Sequence, residues 1–325
     1  MSVAKEESSW LLLMPQIPPK PSYFRVKVWR RLQTLGAIAI KNSVYVLPNT
    51  DDAREDFEWI RREIVKDGGE ATLCEARLIE GLGDSEVQAS FRAARDADYG
   101  EIASAARALA SRLPRGNLSD ERRLQLETDV GRLRRRLTEV GKIDFFDAPR
   151  REATEGLVSG LEGRLRPAGA KPKTKAGHER REELQGRVWV TRKGVHVDRI
   201  ASAWLIRRFV DADARFKFVP AKGYNPEPQE VRFDMFEADF THEGDRCTLE
   251  VLMARLGLDD PALVPIAEIV HDIDLKDSKF HRPETAGIDR LIAGIAMATD
   301  DDEVRLTQGA AVFDGLYEYY KRKRP

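Results

Sequence analysis

Apolar residues at 10–14, closed by Pro15, form a run that predicts a short buried strand over 10–16. After a proline-rich loop at 18–22 that ends in the candidate N-cap Ser22, Phe24, Val28, Leu32 and Leu35 recur at helical spacing, with Gly36 placed as the stop. Two β-rich runs, 37–40 and 44–47, flank Lys41-Asn42-Ser43 and read as a hairpin. Phe57, Ile60 and Ile64 then mark an amphipathic helix over 51–66, ended by Gly68-Gly69, and 71–79 reads as a last strand. The order βαββαβ predicts a ferredoxin-like domain over residues 1–84, with two helices on one face of an antiparallel sheet.

Residues 85–160 are expected to form a helical connector. The helical pattern over 85–142 is broken at Pro114-Arg115-Gly116-Asn117 and resumes after Ser119 or Asp120 as cap. Leu126, Val130, Leu133, Leu137 and Val140 alternate at spacings of four and three, the stripe of a packed helix or of a homodimer seam. Composition changes from Gly160, where Pro, Gly and Lys dominate without apolar periodicity, so 161–185 is expected to be a flexible basic linker. The remaining 186–325 predicts a mixed α/β domain with a helical finish. Its expected strands are 187–192, 215–219 and 231–236, and its expected helices are 198–210, 248–256, 261–276, 286–298 and 302–322. The fold class is therefore α+β, and no internal repeat is evident.

A length of 325 residues with 42% apolar content supports two cores. The apolar run near the start is far below the roughly 20 residues of a membrane span, and it lacks the basic flank of a signal peptide. A cytoplasmic protein with no membrane partner is expected. Cys74 and Cys247 are single and match no metal spacing, as in a reducing compartment. The formal charge of −1 hides an uneven distribution. No acid occurs between Ser8 and Thr50, where Lys20, Arg25, Lys27, Arg30, Arg31 and Lys41 do.

The densest polar run beside apolar structure is 187–199, which sets Arg192, His196 and Arg199 around one strand-to-helix turn with Asp198 at the N-cap. A helix N-terminus presents free N–H groups and partial positive charge, and guanidinium groups add bidentate hydrogen bonds, so an anion suits this turn. The plain alternative for each arginine is pairing with an acid. His242, in Phe240-Thr-His-Glu-Gly-Asp-Arg-Cys, is a second loop-borne binding candidate. His271-Asp272 lies late in a helix that also puts Glu268 at i−3, and two such side chains are half of a metal site. His196, Asp198 and His242 are supplementary ligands for a divalent metal ion, with a helix C-terminal cation as the alternative role of His271. The order His242, His271-Asp272 and a later Asp314 is also similar to that of metal-dependent HD phosphohydrolases. The usual Gly-rich nucleotide loops, G-x-S-x-G and Cys-x-x-Cys are absent from the chain.

Three runs carry a wider resemblance: His196-Val-Asp-Arg-Ile-Ala-Ser-Ala-Trp-Leu-Ile-Arg-Arg-Phe, Phe240-Thr-His-Glu-Gly-Asp-Arg-Cys-Thr and His271-Asp-Ile-Asp-Leu-Lys-Asp. With Trp10-Leu-Leu-Leu, Arg25-Val-Lys-Val-Trp-Arg-Arg-Leu and Ser43-Val-Tyr-Val-Leu-Pro, they make the chain resemble the ChrB family of chromate-resistance regulators. The resemblance implies transcriptional control of chromate efflux, with operator DNA bound without chromate and released in its presence. It also implies that Arg192, Arg199 and His242 are the chromate-responsive positions. Chromate is a tetrahedral dianion near neutral pH, so these groups with His196 and a helix N-terminus suit it or a similar oxyanion. Arg25, Lys27, Arg30 and Arg31, with Arg122, Arg123, Arg134 and Arg135, form the expected DNA-facing surface. The alternatives are a metal-dependent enzyme, either a hydrolase or a chromate-handling redox protein, using the His/Asp cluster, and an interaction scaffold without ligand.

Overall fold

The computed structural model describes residues 10–18, 22–113, 120–165, 181–220, 224–236 and 238–322. Residues 19–21 of the expected proline loop, the break at 114–117 with Ser119, and 166–180 of the expected linker lie outside the described residues. The chain forms two compact units. One comprises Met1–Glu101 and Arg135–Pro149, and the other Ile102–Arg134 and Arg150–Pro325.

In the first unit β1 (Trp10–Gln16), α1 (Ser22–Thr34), β2 (Ile38–Lys41), β3 (Val44–Pro48), α2 (Asp51–Lys66) and β4 (Glu70–Ala76) follow the predicted order. The strands hydrogen-bond in the order β2-β3-β1-β4, with every pairing antiparallel. The helical stripes face the core: Phe24, Val28 and Leu32 of α1 and Phe57, Ile60 and Ile64 of α2 are all at most 3% exposed. Burying each such side chain contributes roughly 1.5–3 kcal/mol. Thr50 caps α2 by accepting from the Ala53 amide at 3.2 Å, and Asp51 and Asp52 complement the helix dipole. The expected stop Gly36 sits just after α1 in the left-handed region, at φ 73°. The last strand ends at Ala76, three residues before the predicted limit.

Two long helices follow, α3 (Asp84–Arg112) and α4 (Asp120–Lys142), and each is divided between the two units. The connector expected over 85–160 is therefore shared out, not a body of its own. The α4 stripe of Leu126, Val130, Leu133, Leu137 and Val140 is buried within the chain, at most 8% exposed. Covered in this way, it offers no seam to a second copy. A further helix, α5 (Arg151–Leu165), extends five residues into the segment expected as linker.

The second unit is built on a three-stranded parallel sheet in the order β6-β5-β7, from β5 (Val188–Arg192), β6 (Arg215–Val219) and β7 (Glu230–Arg232). Central β5 is buried from Trp189 to Arg192, as expected of a parallel strand covered on both faces. It feeds α6 (Val197–Leu205), all nine residues of which are buried, and a single π turn over Ile206–Val210. A helix buried all round is normally apolar, so Asp198 and Arg199 within α6 require partners. Helices α7 (Thr248–Leu256), α8 (Leu263–Leu275), α9 (Thr285–Ala298) and α10 (Asp302–Arg322) complete the unit. Among the described residues, no helix is long and apolar enough to cross a membrane.

Candidate functional site

Arg192, at the end of β5, is 6% exposed and donates from a terminal guanidinium nitrogen to Glu152 of α5 at 2.8 Å. Arg199, in the first turn of α6, donates through Nε to the Asp234 backbone carbonyl at 3.1 Å and lies 3.3 Å from the Asp234 carboxylate. Its Nη1 reaches the Gly194 carbonyl at 3.3 Å. Asp234 holds φ at 44°. That left-handed conformation is uncommon outside glycine but tolerated by Asp, and at this position both the carbonyl and the carboxylate serve Arg199. His242 pairs Nε2 with Asp274 of α8 at 2.7 Å, while its Nδ1 lies 3.5 Å from Asp234. Thr248 completes the link by donating to Asp234 at 2.8 Å.

The three arginine and histidine positions thus belong to one network, with Glu152, Asp198, Asp234 and Asp274 as its acids. Four carboxylates face three basic groups, a ratio that leaves Asp198 the least compensated. Burial, then the charges of Asp234 and Asp274, pushes its carboxyl well above the usual range. Burial works against charge on His242, but the hydrogen bond and charge of Asp274, with Asp234 and Asp198 behind them, hold the ring up at about 10. Glu152 is also held up by burial, opposed by Arg192 and Arg199.

The turn itself departs from the sequence reading. Asp198 does not cap its own helix. The N-cap of α6 is His196, whose side chain makes no cap hydrogen bond and is exposed. Asp198 instead accepts from the amides of Thr248 and Leu249 at 2.7 and 3.0 Å, capping α7 from across the core. Two amides of the turn that precedes α6 are occupied, because Asp302 accepts from Gly194 and Val195 at 2.8 and 2.9 Å. An incoming anion that used those two amides would have to displace a buried carboxylate.

The residues grouped as metal ligands separate into two places. Donor atoms of Asp198, His242 and Asp274 lie within 4.8 Å of one another, as do those of His271, Asp272 and Asp277. In the first group His242 Nε2 is paired with Asp274 and both Asp198 oxygens accept from α7 amides. The second group is separate. His271 is fully buried with Nδ1 on Glu250 at 2.6 Å, and Asp272 accepts from the Phe280 and His281 amides. Glu268 does not join His271 but pairs with Arg282, and Asp314 serves Trp204 and Arg208.

Of the basic residues read as DNA-facing, Arg25 and Arg30 are exposed on α1 beside Trp29, which is 49% exposed. Lys27 and Arg31 are exposed and share Glu63 of α2. Arg122 and Arg135 are exposed on α4, while Arg123 donates to the Leu165 carbonyl at 3.3 Å. Arg134 is neutralised within the fold by Glu155 and Glu162 of α5. Two carboxylates on one guanidinium leave Arg134 no charge to spare for phosphate.

The residues that sequence reasoning missed are Glu152, Asp234 and Asp274. Asp274 stood inside a quoted motif, but nothing local marks Glu152 or Asp234. Glu152 also connects the network to a groove of about 1140 Å³ lined by Glu152, Gly156, Gly160, Phe236, His242 and Arg255 among others. Helix α5 approaches the 242–244 loop closely there. A Cβ on Gly156 would lie 2.6 Å from the His242 Cβ, and one on Gly160 2.6 Å from the Gly244 Cα.

Residues 189–320 match the family described as ChrB, C-terminal domain, and residues 25–167 the family described as Protein ChrB, N-terminal. The chain is 30% identical over 330 residues to Protein ChrB of Cupriavidus metallidurans, covering 98% of this chain and 97% of the relative. No solved structure matches it. Matches to both halves of one family, with a relative aligned over nearly its whole length, make this chain a member of the ChrB family, consistent with a role in chromate resistance.

Proposed function

We propose that the protein is a chromate-responsive transcriptional regulator that binds DNA through its basic N-terminal part and the oxyanion through the Arg192–Glu152 leg of the buried network. The observation that carries this reading is that Arg192 ends on a carboxylate which also lines the groove. An oxyanion entering the groove meets Glu152 first and can take its place on Arg192, where planar bidentate geometry suits a tetrahedral anion. Breaking a buried ion pair is costly when it strands a charge. Here the arginine gains a new partner, and burial, which already raises the Glu152 carboxyl against the pull of Arg192, favours its neutral form. Arg199 and protonated His242 add positive charge nearby, and the exchange alters what holds α5 in place.

For the DNA half, support comes from α1, whose solvent face carries Arg25 and Arg30 around an exposed tryptophan, with no acid between Ser8 and Thr50. Such a face neutralises phosphates and stacks on bases. Calorimetric titration of the full-length protein with chromate tests the sensing half. Arg192→Ala is expected to weaken binding at least about tenfold, the equivalent of ~1.4 kcal/mol, and Arg192→Lys to restore little of it. Binding that is indifferent to both changes contradicts the assignment.

A further inference from the structure

Helix α8 ends in a polar cluster that the regulatory reading does not use. The His271 ring is 0% exposed, and its Nδ1 is fixed by Glu250 at 2.6 Å. Its other nitrogen, Nε2, makes no hydrogen bond and lies 3.4 Å from an Asp277 carboxylate oxygen. One oxygen each from Asp272 and Asp277 and a nitrogen of His271 fall within 4.8 Å of one another. Asp272 is 7% exposed and is oriented by the amides of Phe280 and His281, at 3.1 and 2.8 Å. The Phe280 ring stands edge-on to His271 at 4.9 Å, closing one side. The Asp277 side chain is 16% exposed and gives the cluster its opening, and Arg107 approaches it at 3.8 Å.

We propose that His271, Asp272 and Asp277 bind one divalent first-row transition-metal ion, with water completing the coordination. A histidine that holds a carboxylate on one ring nitrogen while the other faces two acids has the arrangement of a metal ligand with its orienting partner. With Nδ1 turned to Glu250, Nε2 faces carboxylate oxygens, so positive charge belongs between them, supplied by a ring proton when no metal is bound and by the ion when one replaces that proton. One nitrogen and two carboxylate oxygens suit zinc or manganese, and three protein ligands leave open positions. All three ligands come from seven consecutive residues, so the chelate is formed by one helix end and the turn after it. That turn holds Lys276, Ser278 and His281 at positive φ, and Lys279 ties it to Asp245 at 3.0 Å, in the loop that also carries His242.

The test is calorimetric titration of chelator-stripped full-length protein with Zn²⁺ and with Mn²⁺, followed by thermal melts with and without each ion. One equivalent of either ion with a matching rise in Tm is expected in the native protein. Asp277→Asn, in a partly exposed turn that spares the core, should weaken binding on the order of 10–100-fold, and His271→Gln should do the same. Asp274→Asn, at the separate His242 cluster, should leave it unchanged. The proposal is overturned if the native protein binds neither ion. It is equally overturned if binding survives Asp277→Asn or is lost in Asp274→Asn.

Discussion

His242 shows how a single side chain depends on partners remote in sequence. In the fold it faces Asp274, Asp234 and Asp198 with Thr248 beside it, and its pKa rises to about 10 against an ordinary value near 6.5. A raised folded-state pKa contributes stability that is complete below the unfolded value and is lost as pH climbs through the folded one. Unfolding midpoints should therefore fall between about pH 6.5 and 10. Asp198, whose carboxyl is pushed up by burial and its acidic neighbours, adds a loss of the same sign at the lower end. His242→Gln should be less stable than the native protein at pH 6.5, and the gap should narrow by pH 10. A gap independent of pH would show that the ring carries no extra charge in the fold. None of this was legible from Phe240-Thr-His-Glu-Gly, which marked the histidine but not the three carboxylates that decide its charge.

At the scale of elements, helix α5 is the instructive case. Its glycines at 156, 160 and 163 lower helix propensity by about 1 kcal/mol each relative to alanine, so the segment reads toward the linker that follows. Two of them are needed for contact: their hydrogens let α5 lie against His242 and Gly244. Gly160→Ala puts a methyl 2.6 Å from backbone and is expected to cost about 1–3 kcal/mol in urea unfolding despite better propensity. Gly163→Ala meets nothing within 4 Å and should stabilise by up to about 1 kcal/mol. If the two behave alike, close packing of α5 is not what the glycines are for. The N-terminal βαββαβ order, by contrast, was readable because each helix there shows a clean apolar stripe and each turn carries Gly, Asn or Ser. In the second unit α6 is buried on every side, so periodicity located the helix while concealing that Asp198 faces the start of α7 and not its own.

For the whole molecule, charge is distributed differently over the two units. The acid-free α1 face belongs to the first unit and the buried acid-rich network to the second, while α3 and α4 each contribute residues to both. Composition alone could not divide the arginines in this way. Arg25 and Arg30 are exposed on α1, whereas Arg134, Arg192 and Arg199 are bound to carboxylates inside the fold. Exchange of an oxyanion for Glu152 is the central step of the proposed regulation. The direct measurement is fluorescence anisotropy of a labelled duplex from the region upstream of this protein's own gene, titrated with chromate at fixed salt. The native complex should dissociate as chromate rises. Glu152→Gln should shift that midpoint about tenfold lower, since the competing charge is gone, and Arg192→Ala should hold DNA at every chromate concentration. A complex insensitive to chromate, or one whose midpoint is the same in all three proteins, contradicts it.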